Sequence, residues 1–202
     1  MHWLLVVGWF LLINQSIGCT VPSFSSLQVQ PHFNLHRFLG IWFEIKWFTT
    51  QTINPTGVWS DYSLSFQLQG RPRQRLLVYG RARRVNASQC HSFGPWLMQT
   101  PGGARLFLQK DNLTSNTILH QPFYVLKTDY RNYALVYQCL TPNYRLNQPC
   151  TSRILYIFSR RRFLPWRFLQ PLYRYIANVL CIYPRQLRTT SHTVSCYGRI
   201  MG

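Results

Sequence analysis

Acidic residues are nearly missing. The chain of 202 residues has four, Glu44, Asp61, Asp111 and Asp129, against 22 Lys and Arg. So few carboxylates leave little material for paired-carboxylate catalysis or a hard-cation site. Lysine is scarce too, at Lys46, Lys110 and Lys127, and arginine supplies the remaining positive charge. Charged residues total 13 %, about half the usual share, while apolar residues reach 47 % and aromatics 16 %. That balance excludes a disordered chain, which needs low hydrophobicity and high charge density. The 11 Gly and 12 Pro follow no three-residue period and no heptads run, which excludes collagen-like and coiled-coil organisation. No Cys-x-x-Cys occurs and no His lies at zinc-finger spacing from a cysteine pair, so no metal is expected. No Ser/His/Asp constellation stands out, so neither an enzyme activity nor a cofactor is expected.

What is present begins with an apolar run, Trp3 to Val7 and Trp9 to Ile13, followed by Ser16-Ile17-Gly18. Its length suits a signal peptide over residues 1–18 and falls short of the roughly 20 apolar residues a membrane span needs. Secretion turns the six cysteines, Cys19, Cys90, Cys139, Cys150, Cys181 and Cys196, into disulfide candidates. Six cysteines allow about 15 pairings, and spacing alone does not choose among them. Sequons at Asn86-Ala87-Ser88 and Asn112-Leu113-Thr114 make Asn86 and Asn112 glycosylation candidates. The net charge of +18 predicts attraction to anionic surfaces such as acidic lipid or sulfated glycan. Arginines cluster at Arg71/Arg73/Arg75, Arg81/Arg83/Arg84 and Arg160/Arg161/Arg162 with Arg167. Nucleic acid is not an expected partner, because no recognition helix or aromatic platform is recognisable.

The rest, residues 19–202, reads as a single domain of short strands. Runs rich in Tyr, Val, Ile, Phe and Leu cover Ile41–Phe48, Val58–Gln69, Arg75–Arg84, Ala104–Lys110, Phe123–Thr128, Tyr133–Cys139 and Arg153–Ser159. Turn clusters such as Asn54-Pro55-Thr56-Gly57 and Pro101-Gly102-Gly103 separate them. This spacing predicts an antiparallel barrel or sandwich. Leu172, Ile176, Val179, Leu180 and Tyr183 recur at helical intervals, so one helix is predicted over residues 171–183, opened by Pro171 and ended by Pro184.

Two stretches carry a family resemblance. Phe33 to Ile45, containing Gly40-Ile41-Trp42, resembles the first motif of the lipocalin family. Thr128-Asp129-Tyr130, leading into Tyr133 to Cys139, resembles its second motif in the apolipoprotein D-like form. Arg160, after the run Arg153–Ser159, resembles the motif arginine behind the last barrel strand. The resemblance implies an all-β fold: an eight-stranded antiparallel up-and-down barrel with one C-terminal helix packed outside. It further implies a secreted carrier holding a small hydrophobic ligand, such as a lipid, fatty acid, sterol, retinoid or bilin, in a cup open at one end.

Gly40, Trp42, Thr128, Asp129, Tyr130 and Arg160 are then structural. Gly40 frees the backbone where the chain enters the barrel, Trp42 plugs the narrow end and Arg160 lies across its ring. Alternation groups Tyr62 with Phe66, Tyr124 with Leu126 and Tyr156 with Phe158. The resemblance marks Tyr62 and Tyr156 as pocket-facing, and Tyr62, Phe66, Tyr124 and Tyr156 form the expected ligand set. It also suggests Cys19–Cys139, with Cys90–Cys196 and Cys150–Cys181 for the remaining cysteines. The competing reading is a filled barrel whose arginine-rich surface binds anionic lipid or glycan.

Overall fold

Period-two patterning with apolar residues on both faces decides the architecture. The computed structural model describes residues 19–53, 58–70, 75–112, 117–141, 144–193 and 196. Among them run β1 (Gly40–Thr49), β2 (Trp59–Gln69), β3 (Arg75–Arg84), β4 (Cys90–Gln99), β5 (Arg105–Asn112), β6 (Thr117–Thr128), β7 (Tyr133–Cys139), β8 (Arg153–Ser159) and the short β9 (Arg188–Thr189). Two helices accompany them, α1 (Leu35–Phe38) and α2 (Trp166–Leu180). Sequential strands pair antiparallel from β2 to β8, β8 pairs with β1, and β1 closes the ring on β2. The expected signal peptide, Arg71, Arg73 and the Leu113-Thr114 half of the second sequon lie outside the described residues.

One strand face fills the barrel. Trp42, Leu64, Phe66, Val78, Leu106, Phe123, Val136 and Phe158 form that interior cluster. The opposite face of β6, β7 and β8 is also apolar, because α2 covers it. Leu169, Leu172, Ile176 and Leu180 pack there on Leu126, Leu135, Leu155 and Ile157. Burying this stripe is what holds the helix on the wall.

The helix boundaries differ from the sequence expectation. It begins at Trp166, with Pro165 at the N-cap, so Pro171 lies inside it. The apolar stripe reaches back to Leu169, and tertiary burial of that residue outweighs the backbone hydrogen bond Pro171 cannot donate. It ends at Leu180, because Cys181 turns left-handed at φ 54°.

Sequence reading also missed β4. Within it Gly94 and Pro95 stand opposite one residue of β3, since Val78 pairs with Trp96 and Gly80 with Phe93. This bulge breaks the alternation that reveals strands.

Two disulfides correct the expectation, which had Cys19–Cys139 and Cys150–Cys181. Cys19 bonds Cys181, and Cys139 bonds Cys150, while Cys90 and Cys196 are joined to each other. The N-terminal segment runs to the end of α2, where the Cys19 sulfur lies near the Ala177 carbonyl. Cys139 instead faces the residues entering β8, with Leu140 N–H donating to the Ser152 carbonyl, and Cys150 is within reach there.

Candidate ligand-binding site

The lower end of the barrel is sealed from the residues upward. Gly40 takes φ +90°, where a side chain would be strained, and a Cβ there would lie 3.4 Å from the Arg160 guanidinium. Trp42 is fully buried and donates its indole N–H to the Phe38 carbonyl at 2.8 Å. The Arg160 guanidinium sits 3.7 Å from the Trp42 ring centroid. It donates to the carbonyls of Ile41, Tyr130, Arg37 and Phe38. Burial lowers its pKa to about 10, with Asp129 opposing, so it remains a cation at neutral pH. The β6–β7 turn is tied by Asp129. Its carboxylate accepts from the backbone N–H groups of Arg131, Asn132 and Tyr133 and from the Asn132 side chain. Burial alone would raise the pKa of Asp129, but these bonds outweigh it and hold the carboxyl below its ordinary value. Thr128 donates to the Tyr133 carbonyl, and the Tyr130 hydroxyl accepts from Asn34 N–H.

The upper end is open. A cavity of about 400 Å³ is bordered by Glu44, Trp47, Trp59, Tyr62, Ile154 and Tyr156, with Thr49, Gln51, Thr52 and Ile53 at the rim. A smaller void of about 50 Å³ continues inward, lined among others by Leu64, Met98, Phe123 and Gln138. Tyr62 and Tyr156 border both. The larger volume is at the small end of the range for ligand sites, roughly 300–1,000 Å³.

Known proteins show the same frame. No family model matches the sequence. Apolipoprotein D of Cavia porcellus is 28 % identical over 155 residues, covering 75 % of this chain and 71 % of that protein. Apolipoprotein D of Oryctolagus cuniculus is 27 % identical over 145 residues, covering 68 % and 66 %. Among solved structures, lobster apocrustacyanin A1 superposes with a TM-score of 0.58 at 18 % identity, covering 81 % of this chain and 82 % of its own. The chain has the lipocalin fold.

Within this barrel the expected ligand set divides. Tyr62 and Tyr156 border the cup. Phe66 points inward but packs below it, 5.1 Å from the Phe38 ring and 5.9 Å from Phe123, as part of the floor. Tyr124 is a correction. It lies on the outer face, 4.5 Å from Phe24, while its neighbour Phe123 lines the inner void. Its partner in the alternating set, Leu126, is outside with it. Both faces of β6 are buried and apolar, so periodicity alone could not tell inside from outside.

Sequence reading assigned no role to Glu44, Trp47 or Trp59. A signal for Glu44 existed: it is one of only four acids and stands between Phe43 and Ile45 in a strand. Glu44 is 6 % exposed, and Thr190 donates a hydrogen bond to its carboxyl. Burial pushes its pKa up to about 7, the Thr190 bond opposing. Burial also raises the pKa of Tyr62, with the Glu44 charge adding to it; Tyr156 is raised by burial and by both. Among the described residues lining the cup, none is Lys, Arg or His.

Thr190 reaches Glu44 because β1 and β2 part company. They pair only from Gly40 to Phe43 on β1 and from Ser63 to Phe66 on β2. The C-terminal segment fills the opening above. β9 pairs with Lys46 and Trp47, and Thr190 N–H donates to the Ile45 carbonyl. On the other side, Asp61 N–H donates to the Ser191 carbonyl, and Thr193 N–H to the Asp61 carboxylate. Asp61 is buried but paired with Arg83 at 3.0 Å. The disulfide Cys90–Cys196 anchors the far end of the segment.

Proposed function

We propose that this protein is a secreted carrier that holds one small hydrophobic ligand in the cup, its polar end beside Glu44, Tyr62 and Tyr156. The cavity carries this reading, because apolar walls with a few convergent polar groups are the general form of a ligand site. Three disulfides support an oxidising, extracellular setting. Asn86 stands exposed in the turn after β3, where a glycan has room. The reading involves binding without chemistry.

The lining narrows the ligand. A carboxylate among apolar walls, with no Lys or Arg among the described lining residues, repels an anionic headgroup and suits an alcohol, an amide or an amine. The groups facing Glu44 are the phenols of Tyr62 and Tyr156 and the Thr190 hydroxyl, while His192 contacts its backbone carbonyl and lies 4.0 Å from Asp61. A fatty acid therefore binds best once Glu44 is protonated.

Tryptophan fluorescence is the test, since Trp47 and Trp59 line the cup. Titrations with hexadecanol, hexadecylamine and palmitate at pH 6 and pH 8 should quench saturably at one ligand per chain, unchanged by salt. Palmitate should weaken by about tenfold between those pH values, since a group with pKa about 7 is mostly ionised at the higher one. Absence of saturable quenching by any of them, after delipidation, refutes the carrier reading. Palmitate binding that ignores pH refutes the role of Glu44 alone.

A further inference from the structure

We propose that the closed end of the barrel docks on anionic lipid bilayers, inserting Phe163 and Trp166 while Arg161, Arg162 and Arg167 contact the headgroups. Phe163 and Trp166 are 59 % and 61 % exposed, although each is large and apolar. They lie three residues apart on the short link from β8 into α2 and its first turn. That link is held firmly. Ser159 donates to the Phe163 carbonyl, Arg161 N–H donates to the Ser159 hydroxyl, and Leu164 between the two aromatics is buried. The Trp166 ring stands edge-on to Tyr173 at 5.7 Å.

The charge around them has one sign. Arg161, Arg162 and Arg167 are exposed, and so are Arg37 and Arg131 at the same end. Arg160 joins these segments by bonding the carbonyls of Arg37 and Tyr130. Of the four acids, Glu44 and Asp61 are buried higher up the barrel, and Asp111 lies toward the open end of β5. Asp129 alone is at the closed end, and its oxygens are occupied by its own turn. Among the described residues, that single carboxylate stands against six arginines at this end, Arg37, Arg131, Arg160, Arg161, Arg162 and Arg167.

The aromatic pair decides between a bilayer and a sulfated glycan. A glycan asks only for charge. A bilayer surface takes Trp and Phe at the headgroup boundary, and reversible attachment generally needs both apolar insertion and basic residues. The cup opens at the opposite end, so docking leaves its mouth facing the solution.

The experiment is vesicle flotation of the oxidised protein recovered from the medium of expressing cells. Phosphatidylcholine vesicles with about 30 % phosphatidylserine should bind it, and plain phosphatidylcholine should not. R161E/R162E/R167E should lower partitioning on the order of a hundredfold. F163S/W166S should lower it at least tenfold while leaving heparin binding intact. In wild type, doxyl-labelled lipid should quench part of the fluorescence, and that part should vanish in W166F. The substitutions remove only surface ring contacts, to Tyr173, Phe43 and Phe168, so thermal melts should stay cooperative and fall only slightly. The proposal is overturned if wild type ignores the phosphatidylserine vesicles. It is overturned equally if F163S/W166S floats as wild type does, or if heparin binds and vesicles do not.

Discussion

Replacing Glu44 by Gln should make the folded protein more stable at alkaline pH. The glutamine keeps an oxygen for the Thr190 hydroxyl and removes only the buried charge. In the unfolded chain the carboxyl titrates near 4.5, and in the folded chain at about 7. The folded state therefore holds the proton more tightly. Its advantage from this group is complete below pH 4.5 and is lost as pH rises through 7. The difference corresponds to about 3 kcal/mol at 1.36 kcal/mol per pH unit, an order-of-magnitude figure for a fully buried group. Most of that loss, about 2.5 kcal/mol, falls between pH 5 and pH 8. Wild type and E44Q should be unfolded in guanidinium at both pH values with disulfides intact, followed by tryptophan fluorescence. The two midpoints should lie close together at pH 5 and separate at pH 8, with E44Q the more resistant. A constant gap between the proteins, or an E44Q that is weaker at pH 8, would refute burial of an uncompensated carboxylate beside the cup.

Pro171→Ala should raise stability by about 1–3 kcal/mol in thermal melts, because Pro171 is exposed, lies inside α2 and withholds a helical hydrogen bond. Non-reducing peptide mapping should recover Cys19 with Cys181 and Cys139 with Cys150. Removing the first pair, separated by 162 residues, should cost about 5 kcal/mol, against about 3 kcal/mol for the second, separated by 11.

How much of this was legible in the sequence depended on whether a signal was local. Gly40, Trp42 and Asp129 sit in short motifs and bond or turn on nearby backbone, so family likeness marked them readily; the same likeness marked Arg160, although its partners Ile41 and Arg37 lie 119 and 123 residues away. Seven barrel strands were legible from their composition. β4 was not, because Gly94 and Pro95 interrupt its alternation. Tyr62 and Tyr156 were separable from wall residues only through family likeness. Tyr124 illustrates the limit: a strand sandwiched between the barrel interior and α2 has no polar face to mark the outside. Glu44 escaped because its burial follows from the tertiary fold, where its partner Thr190 comes from 146 residues away. The disulfides failed for the same reason, since their partners are chosen by where segments meet in space.

The split between β1 and β2 also has a temporal side. The wall is finished by residues that leave the ribosome about 150 positions after β1, so the upper part of the cup has no complete perimeter while synthesis proceeds. Until then the backbone edges of Lys46, Trp47 and Asp61 are unpaired strand borders of the sort that recruit other chains. Cellular quality control would therefore meet a nascent barrel lacking its final stave, and formation of the Cys90–Cys196 bond would mark the moment that stave is fastened.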